Sequence, residues 1–153
     1  MPKPLVETIR LPYPVLYHAQ IVSLELAESI FVNGLDPIND PRWAESGAET
    51  PKEYAYWVER ACGVACLKMC VEAAGGPTRS LIDWARLCLR RDGYLIRTNS
   101  DGTKQEVGWV HAALAELTKD DGLEAKACPA NLDEIRFNRN CRDTHQIWGC
   151  QKG

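Results

Sequence analysis

Apolar residues recur at helical spacing in five stretches of the chain. The first stretch follows Ser23, a residue type that caps helices, and ends at Gly34. The second begins at the capping sequence Thr50-Pro-Lys-Glu53, and either Thr78 or Ser80 is suited to cap the fourth. The 3.6-residue period and these start and stop signals predict helices over residues 23–33, 50–58, 62–74, 80–89 and 109–117.

A β-hairpin is predicted between the fourth and fifth helices. Tyr94–Thr98 and Thr103–Val107 flank Asn99-Ser-Asp-Gly102, which is a turn sequence. Residues 35–49 contain two Asp-Pro pairs and predict a loop between the first two helices. The chain is therefore expected to be mainly helical, with one small antiparallel sheet.

The two ends of the chain differ from its middle. Four prolines in residues 1–22 predict an extended arm, because proline disfavours helix in the residue before it. Glu124 to Cys128 is compatible with a short strand, and Asn131 with the cap of a last helix. After Ile135 the chain has few aliphatic residues and neither period. These changes divide it into an arm (1–22), a helical unit (23–135) and a polar tail (136–153) that is expected to be loosely structured.

Composition fits one globular domain. The chain has 153 residues, of which 45% are apolar and 25% charged. Its net charge of −3 and pI near 5.6 argue against a protein that binds nucleic acid through phosphates. No apolar run approaches the ~20 residues of a membrane span, and the N-terminus has no apolar signal region. A soluble, cytoplasmic protein with reduced thiols is expected, without nucleic-acid or membrane partners.

Cys62, Cys66 and Cys70 lie at i, i+4 and i+8, on one side of a predicted helix. The outer two are about 12 Å apart along the helix axis. A tetrahedral zinc ion holds its thiolates at ~2.3 Å, so the outer two cannot share one, and no metal site is predicted. Cys66 and Cys70 are interpreted as small buried side chains.

Cys62 differs from the other two because it opens the helix. The unpaired N–H groups and the dipole of a helix N-terminus stabilise a thiolate, and Arg60 could add to this effect. Gly63, directly after it, leaves room for a substrate backbone to approach. Cys62 is therefore the candidate nucleophile of the sequence.

Several segments together resemble a known family. They are Tyr17-His-Ala-Gln20, Asp40-Pro-Arg-Trp43, Tyr54-Ala-Tyr-Trp57, Arg60-Ala-Cys-Gly-Val-Ala-Cys-Leu-Lys-Met69, Gly93-Tyr94 and Gly108-Trp-Val-His111. Over residues 12–135 the chain resembles the papain-like cysteine peptidases of the bacteriocin-processing, double-glycine type. The resemblance implies an α+β papain-like fold, and here mainly its helical half with little or no β half. No cofactor is predicted for the chain.

The resemblance also implies roles for individual residues. Cys62 matches the nucleophile, and Gln20 resembles the glutamine that donates to the oxyanion, with residues 23–56 inserted between them. No Gly-His strand of the family's catalytic kind occurs, so the general base is sought among His111, His145 and His18. Of these three, His111, in the Gly-Trp-x-His segment, is the candidate general base.

Three functions follow from these residues. The first is hydrolysis or transfer at a peptide bond through Cys62, with a peptide or protein as substrate. The second is a non-catalytic peptide-binding module of the same fold, and the third is thiol redox chemistry through Cys62 and Cys66, which a strained i, i+4 disulfide disfavours. A truncation or frame change near residue 136 would explain the missing β half. Without that half we expect a poor or inactive peptidase with an open helical face that favours self-association.

Overall fold

The computed structural model describes residues 14–125, which fold into five α-helices and one β-hairpin. The helices are α1 (Ala27–Phe31), α2 (Pro51–Val58), α3 (Cys62–Ala73), α4 (Leu81–Leu89) and α5 (His111–Lys119), and the strands are β1 (Tyr94–Thr98) and β2 (Lys104–Trp109). The architecture is thus mixed helix with a small two-stranded sheet, α+β in general terms. The predicted helix beyond Asn131, the tail 136–153 and His145 lie outside the described residues.

Local capping places the helix starts where the sequence predicts them. The Thr50 hydroxyl accepts a hydrogen bond from the Glu53 N–H at 3.1 Å, at the start of α2. Ser80, rather than Thr78, caps α4, since its hydroxyl accepts from the Asp83 N–H at 3.0 Å. Short-range sequence signals are therefore sufficient for α2 and α4.

Two boundaries differ from the prediction. The predicted helix over 23–33 is a 3₁₀ turn, Leu24–Leu26, followed by the short α1, because the Ser23 hydroxyl donates to Asp40 instead of capping. The helix predicted from Trp109 begins at His111, because Trp109 pairs with Tyr94 at the end of the hairpin. The predicted loop 35–49 contains two 3₁₀ turns, Pro37–Asn39 and Trp43–Ser46.

Helix α3 lies at the centre and packs against α4 and α5. Its inward face carries Val64, Leu67 and Val71, which join side chains of the other helices in the larger core cluster. The remaining members of that cluster are Trp57, Ala61, Ile82, Trp84, Ala85, Cys88, Leu114 and Leu117. Burying each large side chain contributes roughly 1.5–3 kcal/mol.

The interpretation of Cys66 as a buried side chain is wrong. Cys66 is exposed and Cys70 is half-buried, whereas Cys88 of α4 is fully buried. The larger residues Val64, Leu67 and Val71, spaced at i, i+3 and i+7, determine which face of α3 turns inward. Cys62, Cys66 and Cys70 therefore lie at the edge of that face.

A buried carboxylate joins the N-terminal segment to α2. Asp40 is 1% exposed and accepts hydrogen bonds from the Ser23 hydroxyl at 2.6 Å, the Arg42 N–H at 2.9 Å and the Tyr54 hydroxyl at 2.5 Å. The Tyr54 oxygen in turn accepts from the Val22 N–H at 3.1 Å. Burial alone would raise the pKa of Asp40, but these donors outweigh it and hold the pKa below its usual value.

Candidate functional site

Cys62 is the first residue of α3, and its side chain is exposed. Its Sγ lies 4.0 Å from the Arg60 carbonyl oxygen. The residue before it, Ala61, provides no side-chain cap, so the N–H groups of the first turn of α3 have no side-chain acceptor from the capping position. An exposed thiol therefore stands at a helix start whose N–H groups are not capped by a side chain.

Trp109 holds the backbone on both sides of Cys62. Its indole Nε1–H donates to the Arg60 carbonyl at 2.6 Å. Its ring also lies directly against Gly63, where an added Cβ would be 2.6 Å from the ring atom Cδ1. The glycine is thus required by the indole that packs on it, and the space that sequence analysis assigned to a substrate backbone is occupied on this side.

The Trp109 ring is itself fixed by two aromatic neighbours. It stacks on Trp57 of α2 with ring centroids 5.5 Å apart and planes inclined by 29°. Tyr94 of β1 meets it edge-on at 4.8 Å. Aromatic pairs of this kind contribute about 0.5–1.5 kcal/mol beyond the area they bury. The hairpin is therefore anchored to the turn between α2 and α3.

The charge of Arg60 is paired with a carboxylate of the hairpin. Its Nε donates to Glu106 of β2 at 2.7 Å, and its guanidinium lies 4.4 Å from the centre of the Tyr56 ring. The hydrogen bond from Arg60 keeps the pKa of Glu106 below its usual value. Sequence analysis expected this arginine to assist the thiolate, whereas the structure pairs its guanidinium with Glu106.

His111 enters the same region from α5. It is the first residue of that helix, is half-buried, and follows Trp109 by two residues. The backbone leading to it is fixed because the Val110 N–H donates to the Gly93 carbonyl at 2.8 Å. Among residues 14–125, no hydrogen bond links His111 to Cys62 or to an orienting Asp or Asn side chain.

Gln20 and His18 line a different part of the molecule. They border a cavity of about 350 Å³ together with side chains that include Lys68, Arg79 and Ser80. Neither Cys62 nor His111 lines this cavity. The Gln20 Oε1 atom is buried and has no hydrogen-bond partner among the described residues.

An ionic network occupies one side of this cavity. His18 Nε2 bonds to Glu72 at 2.5 Å, and the buried Lys68 pairs with the same carboxylate while donating to the Arg79 carbonyl at 2.7 Å. Burial would raise the pKa of Glu72, but the bonds from Lys68 and His18 lower it below its usual value. The network ties the segment before α1 to the second half of α3.

The thiols differ in environment. Burial raises the pKa of Cys88 to about 11. The pKa of Cys70 is also raised, mainly by burial and to a smaller extent by the nearby Cys66. Cys88 is thus excluded as a nucleophile in the folded protein. Within residues 14–125, no group of three or more His, Cys, Asp or Glu side chains is arranged to hold a metal ion.

Sequence analysis did not identify Glu106 or Trp109 as parts of this region. The sequence pattern predicts Trp109 at the start of a helix and Glu106 as one polar residue of a strand. The sequence contains one signal of the Trp109 contact, which is Gly63, because a glycine inside an apolar helix often marks a close approach by a neighbouring group.

No protein-family model, curated protein or solved structure matches the chain. In the described part of the chain, no helix combines the length and apolar character that crossing a membrane requires.

Proposed function

We propose that the chain is a cysteine peptidase-like protein that acts on peptide bonds through Cys62, with a papain-like arrangement of its helical half. The observation that carries the proposal is the exposed Cys62 thiol at the N-terminus of the central helix α3. Helix starts of this kind favour the thiolate, which is the nucleophilic form of cysteine. The segment resemblance given above supplies the reaction class.

In the proposed reaction, the Cys62 thiolate attacks the carbonyl carbon of a peptide bond. The uncapped N–H groups of the first turn of α3 are the donors available to the developing oxyanion. Expulsion of the amine gives a thioester and requires a proton, which water or a general acid supplies. His111 is the candidate for this acid, because α5 begins beside the Trp109 contact with Gly63.

A non-catalytic peptide-binding module is the second candidate. It is favoured because His111 has no orienting hydrogen bond among residues 14–125 and because Gln20 borders a cavity that Cys62 does not line. Loss of positioned acid–base assistance costs about 10²–10⁴-fold in rate. The peptidase proposal therefore predicts slow turnover, whereas the binding module predicts none.

Thiol labelling tests the nucleophile separately from turnover. Brief alkylation of the folded protein at mildly acidic pH, mapped by mass spectrometry, is expected to modify Cys62 first. Preferential modification of Cys66 or Cys70 would contradict the assignment. Cys88 serves as the buried reference that remains unmodified until the protein unfolds.

Turnover is then measured on unstructured peptides, including ones with Gly-Gly junctions. The wild type is compared with Cys62→Ala and with the matched control Cys66→Ala, which removes an exposed thiol one turn later. Slow cleavage that disappears only in Cys62→Ala supports the peptidase, and a further loss in His111→Ala identifies the acid. Peptide binding without cleavage, equal in all variants, supports the binding module instead.

A further inference from the structure

In the described part of the chain, every charged or titratable side chain at the wall of the Gln20 cavity has an ionic partner within the protein. The pairs are Lys68 and His18 with Glu72, Arg79 with Asp121, and Glu45 with Arg42. A further charge brought in by a ligand would lose its hydration without gaining a free counter-charge at this wall. The cavity, whose volume is about 350 Å³, is therefore suited to a neutral ligand.

Several neutral polar groups at the same wall, by contrast, have no partner among residues 14–125. The Gln20 Oε1 atom is buried and accepts no hydrogen bond. The side chain of Thr78 and the backbone of Ala19 and Ile21 form none with the described residues either, although Ile21 is only 6% exposed. Buried polar groups are normally hydrogen-bonded, and one that is left alone lowers the stability of the fold. This wall therefore has neutral donors and acceptors that a ligand can use.

We propose that this cavity binds a neutral ligand through an amide group, which donates its N–H to the Gln20 Oε1 atom and accepts from the Gln20 Nε2 atom through its carbonyl oxygen. A glutamine carboxamide offers an acceptor and a donor side by side, and these match the N–H and the C=O of another amide. Ile21, Val22 and Leu81 supply an apolar part of the lining, as in most small-ligand sites. The free carboxamide of a small molecule and the main chain of a peptide share this chemistry.

This role differs from the one that the sequence resemblance implies for Gln20, which is donation to an oxyanion at Cys62. Cys62 does not line the cavity, so the inference goes beyond the proposed reaction and does not rest on it. Ligand binding by Cys62→Ala is accordingly expected to equal that of the wild type, whether or not the variant cleaves peptides. Failure of the proposed function and failure of this inference are thus distinguishable.

Heteronuclear NMR titrations of the nitrogen-labelled protein test the proposal with three probes. Benzamide presents a free carboxamide, N-acetylalanine methylamide presents a peptide main chain, and benzoate has the shape of benzamide but carries a negative charge. Benzamide is expected to bind with a Kd of about 1 mM, as a fragment of its size does, and to shift the signals of Gln20 and Thr78. Benzoate is expected to bind at least about tenfold more weakly, because the wall has no free counter-charge for it.

Gln20→Leu replaces the carboxamide with an apolar group of similar size. The substitution is expected to weaken benzamide binding about five- to hundredfold, because the ligand N–H loses its acceptor. The melting temperature should stay the same or rise, because an unpaired buried oxygen is removed. Gln105→Leu, at an exposed position of β2, is the matched control and should leave both quantities unchanged.

Binding of either amide probe at this wall, lost in Gln20→Leu, supports the inference, and the amide probe that binds more tightly identifies the source of the amide. Four results would overturn it: no shift with either amide at tens of millimolar, equal binding of benzoate, wild-type binding by Gln20→Leu, or a folded Gln20→Leu protein that melts below Gln105→Leu. The last result would show that the Gln20 oxygen is already bonded in the folded protein. The comparison of benzamide with benzoate uses the wild type alone, so it tests the inference even if Gln20→Leu does not fold.

Discussion

Removing the Tyr54 hydroxyl is expected to destabilise the protein far more than its single oxygen atom suggests. The hydroxyl is buried and stands between two partners: it donates to Asp40 at 2.5 Å and accepts from the Val22 N–H at 3.1 Å. Tyr54→Phe keeps the ring and its apolar burial, so the change isolates these two bonds. It leaves a buried carboxylate with one donor fewer.

The magnitude follows from the kind of each bond. A hydrogen bond to a charged group is worth about 1.5–3 kcal/mol, and an orphaned N–H costs up to about 1–3 kcal/mol when water cannot reach it. Val22 is only half-buried, so water replaces part of that second contribution. A loss of about 2–4 kcal/mol is expected for Tyr54→Phe, which is a large share of the ~5–15 kcal/mol typical of a domain.

The pH dependence of this loss has a definite sign. The pKa of Asp40 is lower in the folded protein than its usual value, so the network contributes its full stability above the unfolded pKa of about 3.9. That contribution is lost as the pH falls through the folded pKa, since the carboxyl group becomes protonated. The difference between wild type and Tyr54→Phe should therefore be largest at neutral pH and shrink below about pH 4.

Urea unfolding followed by tryptophan fluorescence, at neutral and at acidic pH, measures both effects. The matched control is Tyr56→Phe, two residues along the same helix, because that side chain is 39% exposed and its hydroxyl bonds to Glu106 at the surface at 3.1 Å. The control is expected to lose less than about 1 kcal/mol. Equal losses in the two variants, or a Tyr54→Phe loss that does not change with pH, would refute the network as described.

Two further substitutions test two local contacts: the packing of the indole against Gly63, and the ion pair between Arg79, just before α4, and Asp121, just after α5. Gly63→Ala is expected to cost about 1–3 kcal/mol and to change the fluorescence of Trp109, because the new methyl group would overlap the indole; an unchanged unfolding midpoint would contradict that contact. Arg79→Lys is expected to lower the free energy of unfolding by about 1–2 kcal/mol, because lysine cannot reproduce the two 2.6 Å bonds to Asp121. Arg91→Lys, at an exposed ion pair, is the control, and calorimetry should show a smaller loss for it. Equal losses for the two arginines would show that the bidentate bond contributes little.

The helix starts were predictable because their signals are local. Thr50 and Ser80 cap helices three residues away, and a side chain this close is visible in the sequence itself. Ser23 carries the same signal but bonds to Asp40, seventeen residues later, and its helix is correspondingly short. Asp40 precedes a proline and looks like an ordinary turn residue, so nothing local marks it as the buried centre of a network.

The candidate site shows the same division. The position of Cys62 at the start of α3 could be predicted, because the apolar period of that helix begins there. The orientation of Arg60 could not, because its partner Glu106 lies 46 residues away on a strand whose register the sequence does not specify. The exposure of Cys66 was missed for a third reason: apolar character alone does not tell which side of α3 turns inward, and larger neighbours decided it.

The separation along α3 between Cys62 and the cavity that Gln20 borders limits which groups could stabilise an oxyanion at Cys62. A nucleophile and an oxyanion donor must lie within about 3 Å of the same carbonyl group. Lys68, which borders the Gln20 cavity, lies six residues after Cys62, which is about 9 Å along the helix axis. With the segment before α1 held by the bond from His18 to Glu72, Gln20 stays at the level of that cavity. Under the proposed function, the donors for an oxyanion at Cys62 are therefore sought in the first-turn N–H groups of α3, which no side chain caps, on the side that Trp109 does not cover.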